Sequence, residues 1–341
     1  MSEHLPDESY HVLISQLQTC KRVLLTTHVR PDGDALGSTG AMVLALRQKG
    51  IDAEVVLLSH LPTKYSFVYL QNNVTFHDAE SSWPAALESL DRFDALLVCD
   101  TGTWNQLPGL KEKLSGFTKP KLVLDHHLTQ EDWADVKLVE TRASAAGEIV
   151  ARLLELWNVT LTPSIATALY LALVSDTGWF QYSNTRPITL RLAARLMEAG
   201  VDTDTLYQAL YQNERAERIA IQTRAMQSLE LLCDGRLAVM RVYKTDFEQT
   251  GANVPDTEGL INQPLQIRTV QVSILLSEPR DFGPVRVSLR SKGQVDVAKF
   301  AEQFNGGGHA RAAGLKVDGA FEAAHGKVVS AMVQQMSGPT V

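Results

Sequence analysis

The segment RVLLTTHVRPDGD, residues 22–34, decides how the first half of this chain folds. It begins with an apolar, β-prone run and ends with one imidazole and two carboxylates in a turn that leads into a helical pattern. In an open α/β sheet, functional side chains collect in the turns at the carboxyl ends of the strands. The segment therefore predicts a buried strand, a turn that bears metal-ligand side chains, and a helix, in that order.

The same arrangement recurs along the first half of the chain. Asp100, Asp176 and the triplet Asp125-His126-His127 each stand at or just after the end of an apolar run. The predicted strands show little polar alternation, which favours burial on both faces, as in a parallel sheet. We therefore predict a doubly wound, mainly parallel α/β domain that gathers these side chains at one edge of its sheet.

The pattern changes twice after this domain. We predict that residues 1–186 form the metal-binding catalytic domain, residues 187–232 a helical connector, and residues 233–341 a smaller α/β domain. The helical patterns of the connector follow one another without a strand between them. Strand patterns return from Arg236 onward and lead to a glycine-rich turn and a last helix.

Composition restricts the class of protein. The chain has 341 residues, 45% of them hydrophobic and 21% charged, which is ordinary globular composition and enough for about two domains. No stretch approaches the roughly 18 to 20 apolar residues of a membrane span. Three scattered cysteines predict neither a disulfide framework nor a thiolate zinc site. We expect a cytoplasmic protein with no membrane partner.

Charge argues against one class of partner. The formal net charge of −7 disfavours a broad grip on long duplex nucleic acid, which requires a basic face. Residues 286–316 nevertheless hold six lysines and arginines against two acidic residues. A local site for a small anion is therefore compatible with this acidic protein.

Carboxylates and imidazoles gathered at one sheet edge would hold two divalent metals, which is the chemistry that phosphoester hydrolysis uses. The Asp125-His126-His127 triplet is the sharpest signal, since adjacent imidazoles at a strand end have little packing value. Alternatives stay open here: Asp32 and Asp34 also suit turn and helix-capping positions. Asp176 at a helix C-terminus is easier to explain if a cation lies opposite.

The second domain carries a glycine-rich cluster, NGGGHARAAG, at residues 305–314. Its glycines leave backbone N–H groups open to an oxyanion, and His309 and Arg311 add donors of the kind that hold phosphate. A hairpin whose glycines only satisfy backbone geometry is the alternative. Arg290 and Ser291, which follow a predicted strand, favour the phosphate-binding interpretation.

In combination, these motifs resemble those of the DHH phosphoesterase superfamily, named after the triplet that stands here as Asp125-His126-His127. All four N-terminal motifs of that superfamily have counterparts, in residues 28–34, Asp100-Thr-Gly, the triplet itself and Ser175-Asp176-Thr-Gly. Residues 287–292 and 306–314 are similar to the C-terminal substrate domain of its NrnA-type nano-RNases. The resemblance spans nearly the whole chain.

The resemblance implies a role for each residue. His28, Asp32 and Asp100 would hold one Mn²⁺, while Asp34, Asp100, His126 and Asp176 would hold a second, with Asp100 bridging; Mg²⁺ or Co²⁺ are other candidates. His127, with Asp125 beside it, would contact the scissile phosphate or protonate the leaving group. The terminal nucleotide and its phosphate would be held by Arg290, Ser291, Gly307, Gly308, His309 and Arg311.

The activity implied by the resemblance is hydrolysis of very short oligoribonucleotides, dinucleotides and slightly longer, to mononucleotides by a homodimer. Adenosine 3′,5′-bisphosphate would be a second substrate. Two alternatives stay open: a cyclic or linear dinucleotide phosphodiesterase acting on c-di-AMP or pApA, and a non-catalytic nucleotide-binding sensor. The complete ligand set disfavours the sensor, since a protein without catalysis is expected to lose ligands.

Overall fold

The computed structural model describes residues 5–78, 90–278 and 283–337. The chain divides into two compact units, residues 1–213 and 214–341. This boundary lies inside the segment that the sequence predicts as a helical connector, so the helices of that segment are shared between the units. The three-part division of the chain stays a prediction.

A six-stranded parallel sheet lies at the centre of the first unit, in the order β3-β2-β1-β4-β5-β6. Its strands are β1 (Arg22–Thr26), β2 (Asp52–Leu57), β3 (Phe76–Asp78), β4 (Ala95–Cys99), β5 (Lys121–Asp125) and β6 (Val136–Val139). Because β2 and β3 lie on one side of β1 and β4 to β6 lie on the other, the strand order reverses between β1 and β4. Open α/β sheets bind ligands at the carboxyl ends of strands at such a switch point.

Helices and short helical turns cover both faces of this sheet. The helices are α1 (Asp7–Gln18), α2 (Gly33–Gln48), α3 (Phe67–Leu70), α4 (Leu110–Lys113), α5 (Ala146–Leu156), α6 (Pro163–Asp176), α7 (Pro187–Glu198) and α8 (Thr203–Tyr211). Leu25 and Leu97 pack into one core with α2 and α6, whereas Leu24 and Leu96 face a second core on the other side of the sheet. The predicted doubly wound parallel α/β fold is confirmed.

Two glycines let α2 pack against α6 at short range. A Cβ atom on Gly33 would lie 1.8 Å from Oγ of Ser175, and one on Gly37 would lie 2.3 Å from a backbone oxygen of α6. A larger side chain at either position would force the helices apart. Since Asp34 and Asp176 lie at the adjoining ends of these helices, the close approach brings their carboxylates together.

Three short segments are among those in which the secondary structure differs from the sequence prediction. The helical segment predicted up to residue 232 ends at Gln227, and Glu230–Leu232 form a strand that pairs with the next one. The sequence patterns also do not predict β3 or β6, whose residues are partly exposed. These short strands lie at sheet edges and depend on pairing with a neighbour, which outweighs local propensity.

The second unit contains a mixed six-stranded sheet in the order β11-β12-β10-β9-β8-β7, with β8 and β9 as its parallel pair. Its strands are β7 (Glu230–Leu232), β8 (Leu237–Val242), β9 (Val272–Ser277), β10 (Val285–Ser291), β11 (Gly307–His309) and β12 (Ala312–Val317). Its helices are α9 (Ala216–Gln227), α10 (Lys244–Thr250), α11 (Val297–Glu302) and α12 (Phe321–Ser337).

Each face of this second sheet has its own core. Val287 and Phe300 belong to the core between the sheet and α11 and α12. Met240 and Phe247 belong to the core on the opposite face, with α9 and α10. The predicted second α/β module is confirmed. Within the described ranges of both units, no helix has the length and apolar character needed to cross a membrane.

Candidate metal centre

The structure brings all six predicted metal ligands together at the carboxyl edge of the parallel sheet. His28 follows β1, Asp32 and Asp34 lie at the start of α2, Asp100 follows β4, His126 follows β5, and Asp176 ends α6. Three groups form, and in each the candidate ligand atoms lie within 4.8 Å of one another: His28 with Asp32 and Asp100, Asp34 with His126 and Asp176, and Asp100 with His126 and His127. The first two consist of predicted metal ligands alone and are called the first and second group below.

In the first group, Nε2 of His28 lies 3.8 Å from Oδ1 of Asp32 and 3.5 Å from Oδ2 of Asp100. The other ring nitrogen, Nδ1, lies 2.9 Å from the backbone oxygen of Val29. When Nδ1 is protonated and donates to that carbonyl, Nε2 keeps a free lone pair that faces the carboxylates. Metal-ligating histidines are held in this way, so the first group can bind a cation.

In the second group, Nε2 of His126 lies 3.6 Å from Oδ2 of Asp34, 3.4 Å from Oδ1 of Asp100 and 3.2 Å from Oδ2 of Asp176. Nδ1 of His126 lies 3.2 Å from the backbone oxygen of Ala143, which again leaves Nε2 as the ligand atom. Because Oδ2 of Asp100 faces the first group and Oδ1 faces the second, this carboxylate is placed as a bridging ligand would be.

The surroundings of two atoms in this cluster show whether the cluster is suited to bind a metal ion. Oδ1 of Asp100 and Nε2 of His126 are buried and have no hydrogen-bond partner among the residues that the structure describes. A buried polar atom without a partner costs about 1–3 kcal/mol, and a cation beside both atoms would remove that cost. Carboxylate oxygens and imidazole nitrogens also suit divalent ions such as Mn²⁺ better than a thiolate-seeking metal. The residues present therefore fit a pair of divalent cations.

The excess of negative charge shifts the pKa values of the cluster. Burial raises the pKa of the Asp34 carboxyl well above its usual range, and the charges of Asp100 and Asp176 raise it further. Burial lowers the pKa of His126, but Asp100 and Asp176 outweigh burial and raise that pKa to about 12. Burial also lowers the pKa of His28, but the contact with Asp100 outweighs burial and raises that pKa to about 10. A site that binds protons this firmly attracts cations, which would displace those protons from the imidazoles.

Asp32 and Asp34 also have the structural roles that the sequence left open. Oδ1 of Asp32 accepts hydrogen bonds from the backbone N–H groups of Asp34 and Ala35, at 3.0 and 3.1 Å, and so caps α2. Asp34 accepts hydrogen bonds from the N–H groups of Ala146 at 2.6 Å and Gly147 at 3.0 Å, at the start of α5. Capping and metal binding are compatible, because the backbone donors hold each carboxylate beside a histidine.

Asp100 has a backbone conformation that is uncommon for a residue with a side chain. Its φ is +62°, directly after β4. The left-handed region costs an L-residue about 1–2 kcal/mol, and such residues concentrate at functional sites. The backbone N–H of Asp100 donates to the backbone oxygen of Leu124 at 2.8 Å, so pairing with β5 holds this turn in place.

Asp125 and His127 have different roles beside the two ligand groups. Oδ1 of Asp125 lies 2.8 Å from Nδ1 of His127, and it accepts the backbone N–H groups of His126 at 2.8 Å and His127 at 3.2 Å. The Asp125 side chain is fully buried, whereas that of His127 is 54% exposed. Protonation of His127 at Nδ1 leaves Nε2 available to a substrate. Asp125 thus contacts the His127 ring through this hydrogen bond, and its predicted catalytic role stays a prediction.

The predicted substrate-binding residues of the second unit lie around the β11–β12 hairpin. Ala312 pairs with Arg290 of β10 on one side and with His309 of β11 on the other. Directly opposed residues in antiparallel strands project from the same face, so Arg290 and His309 flank a small side chain. Gly307 and Gly308 are exposed in the same hairpin. The sequence pattern predicts a hairpin as the alternative to a phosphate site at residues 305–314. The hairpin is present, and it carries the hydrogen-bond donors that a phosphate site requires.

Ser291 and Arg311 contact the backbone of their own unit. Oγ of Ser291 is buried and donates to the backbone oxygen of Val295 at 2.7 Å. Nη1 of Arg311 donates to the same oxygen at 2.9 Å, while the side chain remains exposed with further N–H donors. The Ser291 hydroxyl donates its proton to the backbone and keeps its acceptor lone pairs, so its predicted role as a substrate ligand stays a prediction. Arg311 stays a candidate.

Two polar residues near the centre were missed by the sequence analysis. Nε2 of Gln130 donates to Oδ2 of Asp125. Nδ2 of Asn184 donates to the backbone oxygens of Ser144 and Asp176, at 3.0 Å each. Both residues lie in loops, which have no apolar periodicity, and Asn184 joins segments that are distant in the chain. No local pattern could have identified them.

Known protein families match both parts of the chain. Residues 22–173 match the DHH family, N-terminal domain, and residues 234–337 match the DHHA1 domain. The chain is 27% identical over 316 residues to the "Bifunctional oligoribonuclease and PAP phosphatase NrnA" of Thermus thermophilus, which covers 92% of this chain and 90% of the relative.

Two solved structures share the fold. An exopolyphosphatase-related protein from Bacteroides fragilis superposes with a TM-score of 0.81 at 21% identity, over 98% of this chain and 97% of its own. A structure of the exonuclease RecJ bound to manganese superposes with a TM-score of 0.55 at 16% identity, over 98% of this chain and 95% of its own. At these identities the likeness concerns the fold alone.

Proposed function

Since residues 22–173 match the DHH family, N-terminal domain, and residues 234–337 match the DHHA1 domain, we propose that this chain is a member of the DHH phosphoesterase superfamily and a metal-dependent phosphoesterase of very short RNA. It would hydrolyse dinucleotides and slightly longer oligoribonucleotides to mononucleotides, and adenosine 3′,5′-bisphosphate to AMP. The observation that carries the proposal is the position of Asp100, whose two carboxylate oxygens face two separate groups of ligands.

The two ligand groups support the binding of a pair of divalent cations. We propose Mn²⁺, with Mg²⁺ or Co²⁺ as possible substitutes, because the donors are carboxylates and imidazoles. When bound, such a pair lowers the pKa of the attacking water and offsets charge on the phosphoryl group. The RecJ structure, which shares the fold, has manganese bound, and this supports the choice of metal.

His127 is the residue that we propose as general acid. Its hydrogen bond to Asp125 raises its pKa, so the imidazole stays protonated to a higher pH than usual. The protonated ring would donate from its exposed edge to the leaving sugar oxygen, or would contact the scissile phosphate. Asp125 would keep the ring in one tautomer and one orientation throughout.

The substrate class is proposed from the second unit and from the relatives. The Thermus thermophilus relative is named for oligoribonuclease and PAP phosphatase activity. Both substrates present a phosphate next to a terminal nucleoside. Arg290 and His309, together with the N–H groups of Gly307 and Gly308, would supply donors to such a phosphate. A homodimer is part of the same proposal, and a monomer in analytical sedimentation would refute that part alone.

A product-resolved assay tests the proposed function. Protein stripped of metal by chelation is incubated with RNAs from dinucleotides upward, and with adenosine 3′,5′-bisphosphate, in the presence of Mn²⁺, Mg²⁺, Co²⁺ or no metal. Mononucleotides from the shortest RNAs and AMP from the bisphosphate are expected only when metal is present.

The same assay separates the alternatives. Metal-loaded protein that leaves both the dinucleotide and the bisphosphate intact would refute the proposal. Faster cleavage of c-di-AMP or pApA than of other short RNAs would favour a dinucleotide phosphodiesterase. Binding of nucleotides without turnover would favour a sensor.

A further inference from the structure

The ligands of the second group share contacts with one segment, residues 143–147, which consists of the turn before α5 and the first two residues of that helix and is called the loop below. Nδ1 of His126 lies 3.2 Å from the backbone oxygen of the first residue of this loop. The carboxylate of Asp34 accepts hydrogen bonds from the N–H groups of Ala146 at 2.6 Å and Gly147 at 3.0 Å. The position of the loop therefore sets the position of two of the three ligands.

The third ligand is joined to the same loop through Asn184. Nδ2 of Asn184 lies 3.0 Å from the backbone oxygen of Asp176 and 3.0 Å from that of Ser144. In the described part of the chain, the hydrogen bonds of His28 and Asp32 run to their own neighbours in sequence and not to this loop. The loop thus distinguishes the second group of ligands from the first.

Glu148 holds this loop in place from the protein interior. Its side chain is 1% exposed and belongs to neither ligand group. Oε2 accepts hydrogen bonds from Oγ of Ser144 at 2.8 Å and from Oγ1 of Thr189 at 2.9 Å, and Oε1 forms an ion pair with Arg186. Arg186 and Thr189 lie at the start of α7, so the carboxylate ties the loop to a separate helix. Burial of a charge is costly unless it is paired and hydrogen-bonded, as this one is.

We propose that Glu148, paired with Arg186, is a positioning residue for the second cation of the metal centre. The inference rests on the proposed function, because it assumes that Asp34, His126 and Asp176 bind a cation. Without the Glu148 charge, the loop loses its charged acceptor for Ser144 and the ion pair to α7, which weakens the common support of the three ligands. Partners behind metal ligands change metal affinity about 10–100-fold when they are replaced.

Calorimetric titration of metal-free protein with Mn²⁺ tests the proposal. The wild-type protein is expected to bind two cations. Glu148→Gln keeps the shape of the side chain and should weaken one of the two binding steps about 10–100-fold while leaving the other unchanged. Arg186→Lys keeps the positive charge and should retain more of the affinity than Arg186→Ala.

The matched control is Glu54→Gln. Glu54 is also buried in the first unit and paired with an arginine, at 2.6 Å from Nη2 of Arg92, but it lies in β2 and is not bonded to residues 143–147. This control should lower thermal stability without changing either binding step. Absorption of Co²⁺ in the protein should change for Glu148→Gln and not for Glu54→Gln, because it reports the coordination of the bound ion.

The outcomes separate this proposal from the proposed function. A folded Glu148→Gln protein that binds both cations with wild-type affinity would overturn it, and so would an equal loss of affinity in Glu54→Gln. Wild-type protein that binds no cation would instead overturn the proposed function. If Glu148→Gln does not fold, the variant Asn184→Ala, at an exposed position, replaces it. The same loss of Mn²⁺ affinity is expected at one site. Unchanged affinity at both sites would overturn the proposal.

Discussion

The two regions assigned to the reaction are built in opposite ways. At the sheet edge of the first unit, Asp34 is fully buried and Asp100 is 2% exposed, and backbone groups hold both. In the hairpin of the second unit, Gly307, Gly308 and His309 are all exposed. A buried charge must be placed accurately, because a misplaced one is left without a partner, whereas an exposed donor can adjust to its ligand. Changes in the first region should therefore impair chemistry, and changes in the second should impair affinity.

The largest effect is expected for Asp100→Asn, which removes the charge shared by both ligand groups while keeping the shape of the side chain. A cation pair stabilises the transition state by several kcal/mol, so kcat/KM should fall at least about 1,000-fold, and calorimetry should show fewer bound cations. Asp94→Asn is the control, since its half-buried carboxylate accepts hydrogen bonds from the backbone N–H groups of Lys21 and Arg22 and belongs to neither ligand group. Unchanged turnover and metal content in Asp100→Asn would contradict the claim that changes in the first region impair chemistry.

The next effect concerns pH. The hydrogen bond to Asp125 raises the pKa of His127, so Asp125→Asn should lower that pKa. A general acid acts while protonated, and activity falls as pH rises through its pKa; this fall should therefore begin at a lower pH in the variant. At neutral pH we expect kcat to drop about 100-fold with metal content unchanged.

The control for this pH effect is His127→Ala, which should lack the alkaline fall altogether. The measurement is kcat/KM against pH for the three proteins. An alkaline limb that stays in the same place in Asp125→Asn and His127→Ala would exclude His127 as the acid.

A smaller effect, on affinity, is expected in the second unit. Arg290→Ala removes a cation from the hairpin face, and KM should rise about 10–100-fold with little change in kcat, as for a lost charged hydrogen bond of about 1.5–3 kcal/mol. Ser291→Ala is the neighbouring comparison and should raise KM less, because its hydroxyl already donates its proton to the backbone. A fall in kcat alone for Arg290→Ala would mean that this region also takes part in the chemistry.

The smallest expected effect is a difference in stability between alanine variants of two glycines in the hairpin. Gly308 has φ +145°, and a Cβ atom there would lie 2.4 Å from the backbone oxygen of Ala312, whereas a Cβ on Gly307 would meet nothing within 4 Å. Gly308→Ala should destabilise the second unit by about 1–3 kcal/mol, and Gly307→Ala should stay within about 0.5 kcal/mol of wild type. Denaturant unfolding measures both, and equal stabilities would show that the hairpin does not need glycine for its backbone geometry.

The alternation of apolar runs and helical patterns was enough to predict the parallel sheet and the smaller α/β module, because buried strands require such runs. It also indicated the sheet edge at which the acids and histidines would meet, since parallel strands place their carboxyl ends together. The same reasoning missed β3 and β6, whose partly exposed residues form strands through pairing with β2 and β5. It also placed a helix where Glu230–Leu232 pair with β8.

Within the site, residue type and strand-end position were readable from the sequence, because each candidate ligand stands beside an apolar run that the fold must bury. The tertiary structure alone decided that Asp100 faces both ligand groups, that Asp125 contacts His127, that the Ser291 hydroxyl bonds to the backbone, and that the loop at residues 143–147 carries the second group. The first and last of these features depend on distances of a few ångströms between segments that are far apart in the chain, and the other two depend on side-chain orientations within a single turn. Local patterns of hydrophobicity and charge contain no information about such distances until the chain has folded.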